Sequence, residues 1–223
     1  MPKRIISQRR GKGSPTYRVP TRHFSPRVEY NEAAGVVTDI INYPLMDAPL
    51  AKVRYPDQSV GYIIAAEGMA VGSSTAGVVL SLADIKEGSS VFGVESAPFT
   101  GPKFCRTPGS AAILVSKARE TAVIQLPSKK MKTVALACRA TMGTPAGEGR
   151  KERPFVKAGT RWHAMHARGK LYPRTSGNKM NAVDHPYGGS GHGKVRPPVS
   201  RHAPPGRKVG TVSPRRTGHK KGT

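Results

Sequence analysis

Beyond Leu171 the chain has no Leu, Ile, Phe or Trp, and the same 52 residues hold nine Gly and seven Pro. Such a segment cannot bury enough apolar surface to offset the entropy lost on ordering it. It must order on another surface or stay disordered, and its charge says which surface. Residues 149–223 carry eighteen Lys/Arg against Glu152 and Asp184, a net of +16. The first 30 residues carry eight against Glu29, a net of +7, whereas residues 31–148 carry eleven against ten. A nearly neutral centre is therefore flanked by two cationic arms whose self-repulsion a polyanion would relieve. If the C-terminal arm neutralises about ten phosphates, log K falls with log salt at a slope of roughly −9. The alternative, a solvated charge run that keeps the protein soluble, does not need both ends to carry one sign.

Other polyanionic or apolar partners fit less well. Membrane binding through a basic arm usually needs an amphipathic helix with an apolar face, and neither arm offers one. No stretch approaches the ~18 apolar residues of a membrane-spanning helix. The opening MPKRIISQRRGKGS is basic with no apolar run after it, so a secretory signal is not expected. Cys105 and Cys138 are too few for a disulfide framework or a four-thiolate zinc site, and read as small reduced core residues.

Residues 1–30 show no helical or strand period, and Gly and Pro punctuate their arginines, so an extended arm is expected. The centre is different. Strands are expected at 35–42, 51–55, 59–65 and 78–82, then at 91–94, 111–117, 121–126 and 132–138, with turns between them. Regularly spaced short strands point to a mainly β fold with two small barrels. The expected divisions are a basic arm at 1–30, a first barrel at 31–82, a second at 83–160 and a basic Gly/Pro-rich extension at 161–223.

In the extension, Arg161-Trp162-His163 and His166, Arg168 and Lys170 mix cations with aromatic faces. Unstacked RNA bases lie on such rings and guanidinium planes. Trp162 could instead anchor the arm to a barrel, and the two roles can coexist. His163, His166, His185, His192 and His202 match no zinc spacing. Asp184-His185 invites a carboxylate–imidazole acid–base reading, but Asp-His-Pro-Tyr-Gly-Gly reads more simply as a sharp loop. There Asp184 would bond the backbone downstream, and Gly188, Gly189, Gly191 and Gly193 would allow close approach. The run 188–194 lacks a phosphate-loop frame. Pro197-Pro198 and Pro204-Pro205 stiffen an extended path along which Arg201, Arg207, Lys208, Arg215, Arg216, Lys220 and Lys221 project, a cationic thread through packed RNA.

Asn181-Ala-Val-Asp-His-Pro-Tyr-Gly-Gly189 and Ser200-Arg-His-Ala-Pro-Pro-Gly-Arg-Lys-Val-Gly210 resemble the signature loop and tail of a known family. It is the universal large-subunit ribosomal protein two, in its archaeal and eukaryotic form. RGKGSPTYR at 10–18 and CRATMG at 138–143 are similar to it too. The resemblance implies an oligonucleotide-binding-type barrel followed by a Src-homology-3-like barrel. It also implies binding to large-subunit ribosomal RNA and an extension reaching toward the peptidyl-transferase region, with His185 in a contact or supporting role. The expected partners are that RNA, neighbouring ribosomal proteins and the small subunit, in a cytoplasmic ribosome. No membrane, homo-oligomer, cofactor, metal or catalytic residue is expected. The RNA-binding residues expected are Arg4, Arg9, Arg10, Lys12, Arg18, Arg161, Trp162, His163, Arg168, Lys170, Arg174, Asn178, Lys179, Asn181, His185, Tyr187, Arg201, Arg207, Lys208, Arg215 and Arg216. Two other readings stay open: a catalyst using His185, and a general cationic DNA-binding protein.

Overall fold

The β-branched runs of the centre become strands. In the computed structural model, which describes residues 3–20, 26–150, 152–190 and 198–216, the first sheet holds β1 (Val36–Ile41), β2 (Leu50–Arg54) and β3 (Val60–Ile64) in antiparallel order. Asp57 closes the β2–β3 hairpin: its carboxylate accepts from the Ser59 N–H at 3.0 Å and the Ser59 hydroxyl at 2.6 Å. These two bonds hold the Asp57 carboxyl below its ordinary range.

The second sheet holds β4 (Val79–Ser81), β5 (Ser90–Phe92), β6 (Ala112–Lys117), β7 (Thr121–Gln125), β8 (Met131–Ala135) and β9 (Arg139–Met142). Their spatial order is β4-β9-β5-β6-β7-β8. The fold is mainly β, with curled sheets of barrel type. Two details correct the sequence reading. β4, expected to end the first barrel, pairs instead with β9 in the second sheet. β9 itself is a strand that the sequence does not announce.

Strict alternation fails in β2 and β3 because both faces are covered. Leu50 and Ile64 pack with Tyr43, Met46 and Phe92, while Ala51, Val53 and Ile63 pack on the opposite side with Val37 and Tyr55. The second sheet encloses Leu82, Ile85, Val91, Leu114, Ile124 and Cys138. Each such large aliphatic side chain contributes about 1.5–3 kcal/mol when fully buried. Both cysteines are free; Cys138 is buried and Cys105 half-buried. Burial pushes both thiols up from their ordinary value.

A polar cluster sits inside this β structure. Glu95 has no solvent exposure. Its carboxylate accepts from the Gly101 N–H and the Arg139 N–H, each at 2.9 Å, and from the Arg139 guanidinium at 3.2 and 3.4 Å. Beside it the Tyr30 hydroxyl donates to the Gly93 carbonyl at 2.9 Å and lies 2.7 Å from the Thr141 hydroxyl, which must then be the donor of that second bond. Gly93 is required here: a Cβ would stand 2.3 Å from the Tyr30 oxygen, and φ is +61°. Burial raises the Tyr30 phenol far above its ordinary value, so it stays neutral.

The chain divides into two compact units, Thr21–Val156 with both sheets, and Met1–Pro20 together with Lys157–Thr223. No helix among the described residues is long and apolar enough to cross a membrane.

Candidate nucleic-acid interface

The unit formed by Met1–Pro20 and Lys157–Thr223 carries twenty-one Lys/Arg against one acid, Asp184, a net of +20. The N-terminal segment is not the extended arm expected. Ile6–Gly11 forms helix α1, and Pro15–Tyr17 a 3-10 turn. Gln8 starts α1 by accepting the Ile5 N–H at 3.0 Å, and Ile5 is buried. The backbone bond from the Lys3 N–H to the Val183 carbonyl (2.9 Å) then fastens the segment to the Asp-His loop.

A second helix, α2 (Ala158–Ala167), also departs from the expected extension. Gly159 and the lack of an apolar stripe hide it; its end is the better signal. Gly169 (φ +62°) donates to the His166 carbonyl and Lys170 to the Met165 carbonyl, a Schellman stop that needs glycine. No residue of α2 is buried. Trp162 is 43% exposed and stacks on His166, with ring centroids 5.0 Å apart and planes 16° apart. His163 meets the same indole edge-on, and the Arg161 guanidinium lies 5.1 Å from the Tyr172 ring centroid. α2 thus presents an aromatic and cationic surface.

The Asp-His loop is closed by His185, not by Asp184. His185 Nδ1 accepts the Tyr187 N–H at 3.0 Å, which leaves the ring proton on Nε2 as a donor. The Asp184 carboxylate instead lies 3.6 Å from Lys3 Nζ. The carboxylate–imidazole pair of an acid–base site is therefore not made at Nδ1. The ring packs on bare backbone, since a Cβ on Gly177 would stand 2.4 Å from it. Tyr187 donates its hydroxyl to the Val209 carbonyl at 3.0 Å, tying the loop to the tail. Gly188 lies so close to Asn181 that a Cβ would be 2.2 Å from the carbonyl oxygen. Gly188→Ala must shift backbone, and is expected to open the loop at a cost of about 2 kcal/mol or more. Faster limited proteolysis within 180–190 is the measurement.

The tail is not a straight thread. Val199 and Val212 form a parallel bridge, with Val199 donating to Thr211 and Ser213 donating to Val199, so the chain between them turns back. Gly191, His192, Gly193, Pro197, Lys220 and Lys221 lie outside the described residues.

Two clefts meet at His185. One, of about 350 Å³, is lined by Lys3, Arg4, Gln8, His185, Pro205 and Arg207 among others. The other, of about 480 Å³, gathers Arg10, Arg174, Asn178, His185, Tyr187 and Lys208. Arg9, Lys12, Arg18, Lys170, Lys179, Asn181, Arg201, Arg215 and Arg216 are exposed but line neither cleft, and the same holds for Arg161, Trp162 and His163 on α2. Only Arg168, His185 and Tyr187 of the expected site residues are half-buried. Sequence reasoning missed Lys3, Ile5 and Gln8; the signal was an apolar pair followed by Gln8 at capping distance. Among the described residues no group of three His, Cys, Asp or Glu is placed to hold a metal ion.

The cations and amide donors at the two clefts, and separately the ring stack on α2, are groups that can pair with phosphates and stack on bases. Comparison with known proteins gives the family. Residues 3–77 match the family model of the RNA-binding N-terminal domain of ribosomal proteins L2, and residues 75–208 match that of their C-terminal domain. The "Large ribosomal subunit protein uL2" of Methanobrevibacter smithii is 40% identical over 241 residues, covering 99% of this chain and 100% of its own. The proteins of that name from Halorubrum lacusprofundi (43%, covering 98% of each chain) and Archaeoglobus fulgidus (42%, covering 98% of this chain and 99% of its own) are similar to it over the same span. With both domain models matched in order and relatives aligned end to end, the chain belongs to the ribosomal protein L2 family of the large subunit.

Proposed function

We propose that this chain is a structural constituent of the large ribosomal subunit that binds ribosomal RNA and holds RNA segments in one arrangement during assembly and translation, in the cytoplasmic ribosome. The observation that carries the proposal is the +20 unit, in which Lys3, Arg4, Arg10, Arg174, Arg207 and Lys208 line the two clefts that share His185. Arg10, Arg174 and Lys208 neutralise phosphates there, Tyr187 and Asn178 face ribose or base edges, and Trp162 on α2 stacks a base. The extension supports the peptidyl-transferase region without performing chemistry. His185 acts as an Nε2 donor and as the clasp of its loop. Neighbouring ribosomal proteins and the small subunit are its further partners.

The test is competition binding of the purified chain to labelled large-subunit ribosomal RNA, against duplex DNA and transfer RNA at moderate and high salt. The expected result is a ribosomal RNA complex that survives both competitors, with residual selectivity at high salt. Equal competition by all polyanions, with binding lost at high salt, would reduce the unit to a generic polycation. In the same assay His185→Ala is expected to weaken binding only a few-fold. Subunits that assemble fully with this variant yet fail in a chemical step would instead favour a catalyst.

A further inference from the structure

The clefts at His185 and helix α2 belong to the surface already described, and the outer apolar face of β6–β8 carries nothing to say what covers it. A third feature, in the Thr21–Val156 unit, has no role in the fold. Phe99 is 72% exposed at the tip of the turn Ala97–Thr100, closed by the Thr100 N–H to the Ala97 carbonyl at 3.3 Å and by the Thr100 hydroxyl to the same oxygen at 2.7 Å. Pro98 and Phe99 take the two central positions, and Phe99 has φ +62°. That second position favours glycine or asparagine. A bulky ring there costs conformational energy and returns little burial, which is how functional positions are commonly marked.

The ring is not loose. The Arg139 guanidinium lies 5.0 Å from its centroid, and 5.8 Å from the Tyr30 centroid. Arg139 is itself held by buried Glu95, and Glu95 also accepts the Gly101 N–H at the end of the Phe99 turn. Ring, guanidinium and turn are thus built on one rigid carboxylate. Beside the ring opens a cleft of about 430 Å³, lined by Asn31, Glu32, Tyr55, Ser59, Phe99 and Arg139 among others.

We propose that Phe99, seated on Arg139, is a stacking platform for one unpaired RNA base, whose edge enters the adjoining cleft. The proposal rests on the RNA-binding reading above and adds a site in the β unit to it. A single ring among polar neighbours buries far too little area for protein docking. Phosphate is disfavoured, because Arg139 is already paired and Glu32 lines the wall. A carboxylate there accepts N–H groups from a base edge, so a base bearing an amino group is preferred to uracil.

The experiment measures affinity of the full chain for eight-nucleotide oligo(C), oligo(A) and oligo(U), and for an abasic ribose-phosphate octamer, at fixed salt. The wild-type chain is expected to bind oligo(C) and oligo(A) about tenfold more tightly than the abasic strand, from stacking of one base. Phe99→Gly is expected to lose the part of that preference that Trp162→Ala leaves intact, to keep its abasic affinity, and to melt at the same or a higher temperature. Phe99→Tyr is expected to retain the preference. A Phe99→Gly chain with wild-type base preference overturns the platform; equal weakening on every strand, abasic included, overturns it as well. A wild-type chain that binds no octamer and no ribosomal RNA would instead sink the RNA-binding reading itself.

Discussion

Between 50 and 200 mM salt, affinity of the chain for large-subunit ribosomal RNA is expected to fall by about 10³–10⁵. The size of the effect follows from how the charge is held. Twenty-one cations and one acid share the Met1–Pro20 and Lys157–Thr223 unit, and that acid, Asp184, is occupied by Lys3. Arg4, Arg10, Arg174, Arg207 and Lys208 are exposed yet gathered at two clefts. If six to ten of the unit's cations meet phosphates, counterion release sets a decline of this size. Replacing Arg10, Arg174, Arg207 and Lys208 by alanine is expected to flatten the slope of log K against log salt by about 0.9 for each phosphate left without its cation. Filter binding across a salt series measures it. An unchanged slope in the fourfold variant would mean that the clefts do not meet phosphate.

The strands are legible in the sequence because β-branched runs and turn residues act locally. GVVTDIIN, SVGYIIA and TAVIQL each carry their own signal. What is not legible depends on distant residues. β4 looks like the end of the first sheet because nothing in VVLS names its partner, β9, sixty residues on. Helices α1 and α2 lack apolar stripes and are fixed by Gln8 and Gly169 instead, so no period betrays them. The chemistry of the site is legible by residue type: arginines, Trp162, and the Asp-His loop. Its convergence is not, because Ile5 and Lys3 lie far in sequence from Val183. The same blindness gives Asp184 the loop-closing bond that His185 makes, and draws as a thread a tail that Val199 and Val212 fold back. Phe99 escapes notice because Ala-Pro-Phe-Thr-Gly reads only as a turn.

Glu95→Ala is expected to destabilise the β unit by about 3–5 kcal/mol, the cost of removing one partner from a buried ion pair. Glu95 is wholly buried and the Arg139 side chain is only 14% exposed, so water replaces the lost carboxylate poorly. The substitution leaves the Gly101 and Arg139 N–H groups and the guanidinium without their acceptor. It also frees the charge that lies near the Tyr30 ring, whose hydroxyl spans to Gly93 and Thr141. Urea unfolding measures the loss. Glu29→Gln breaks an exposed pair with Arg27 and is expected to cost no more than about 1 kcal/mol. A double variant, Glu95→Met with Arg139→Met, separates pairing from packing. It should recover part of the loss if the uncompensated guanidinium is the main penalty. A single Glu95→Ala loss no larger than that of Glu29→Gln would mean that water reaches Arg139, and that the turn bearing Phe99 does not depend on the carboxylate.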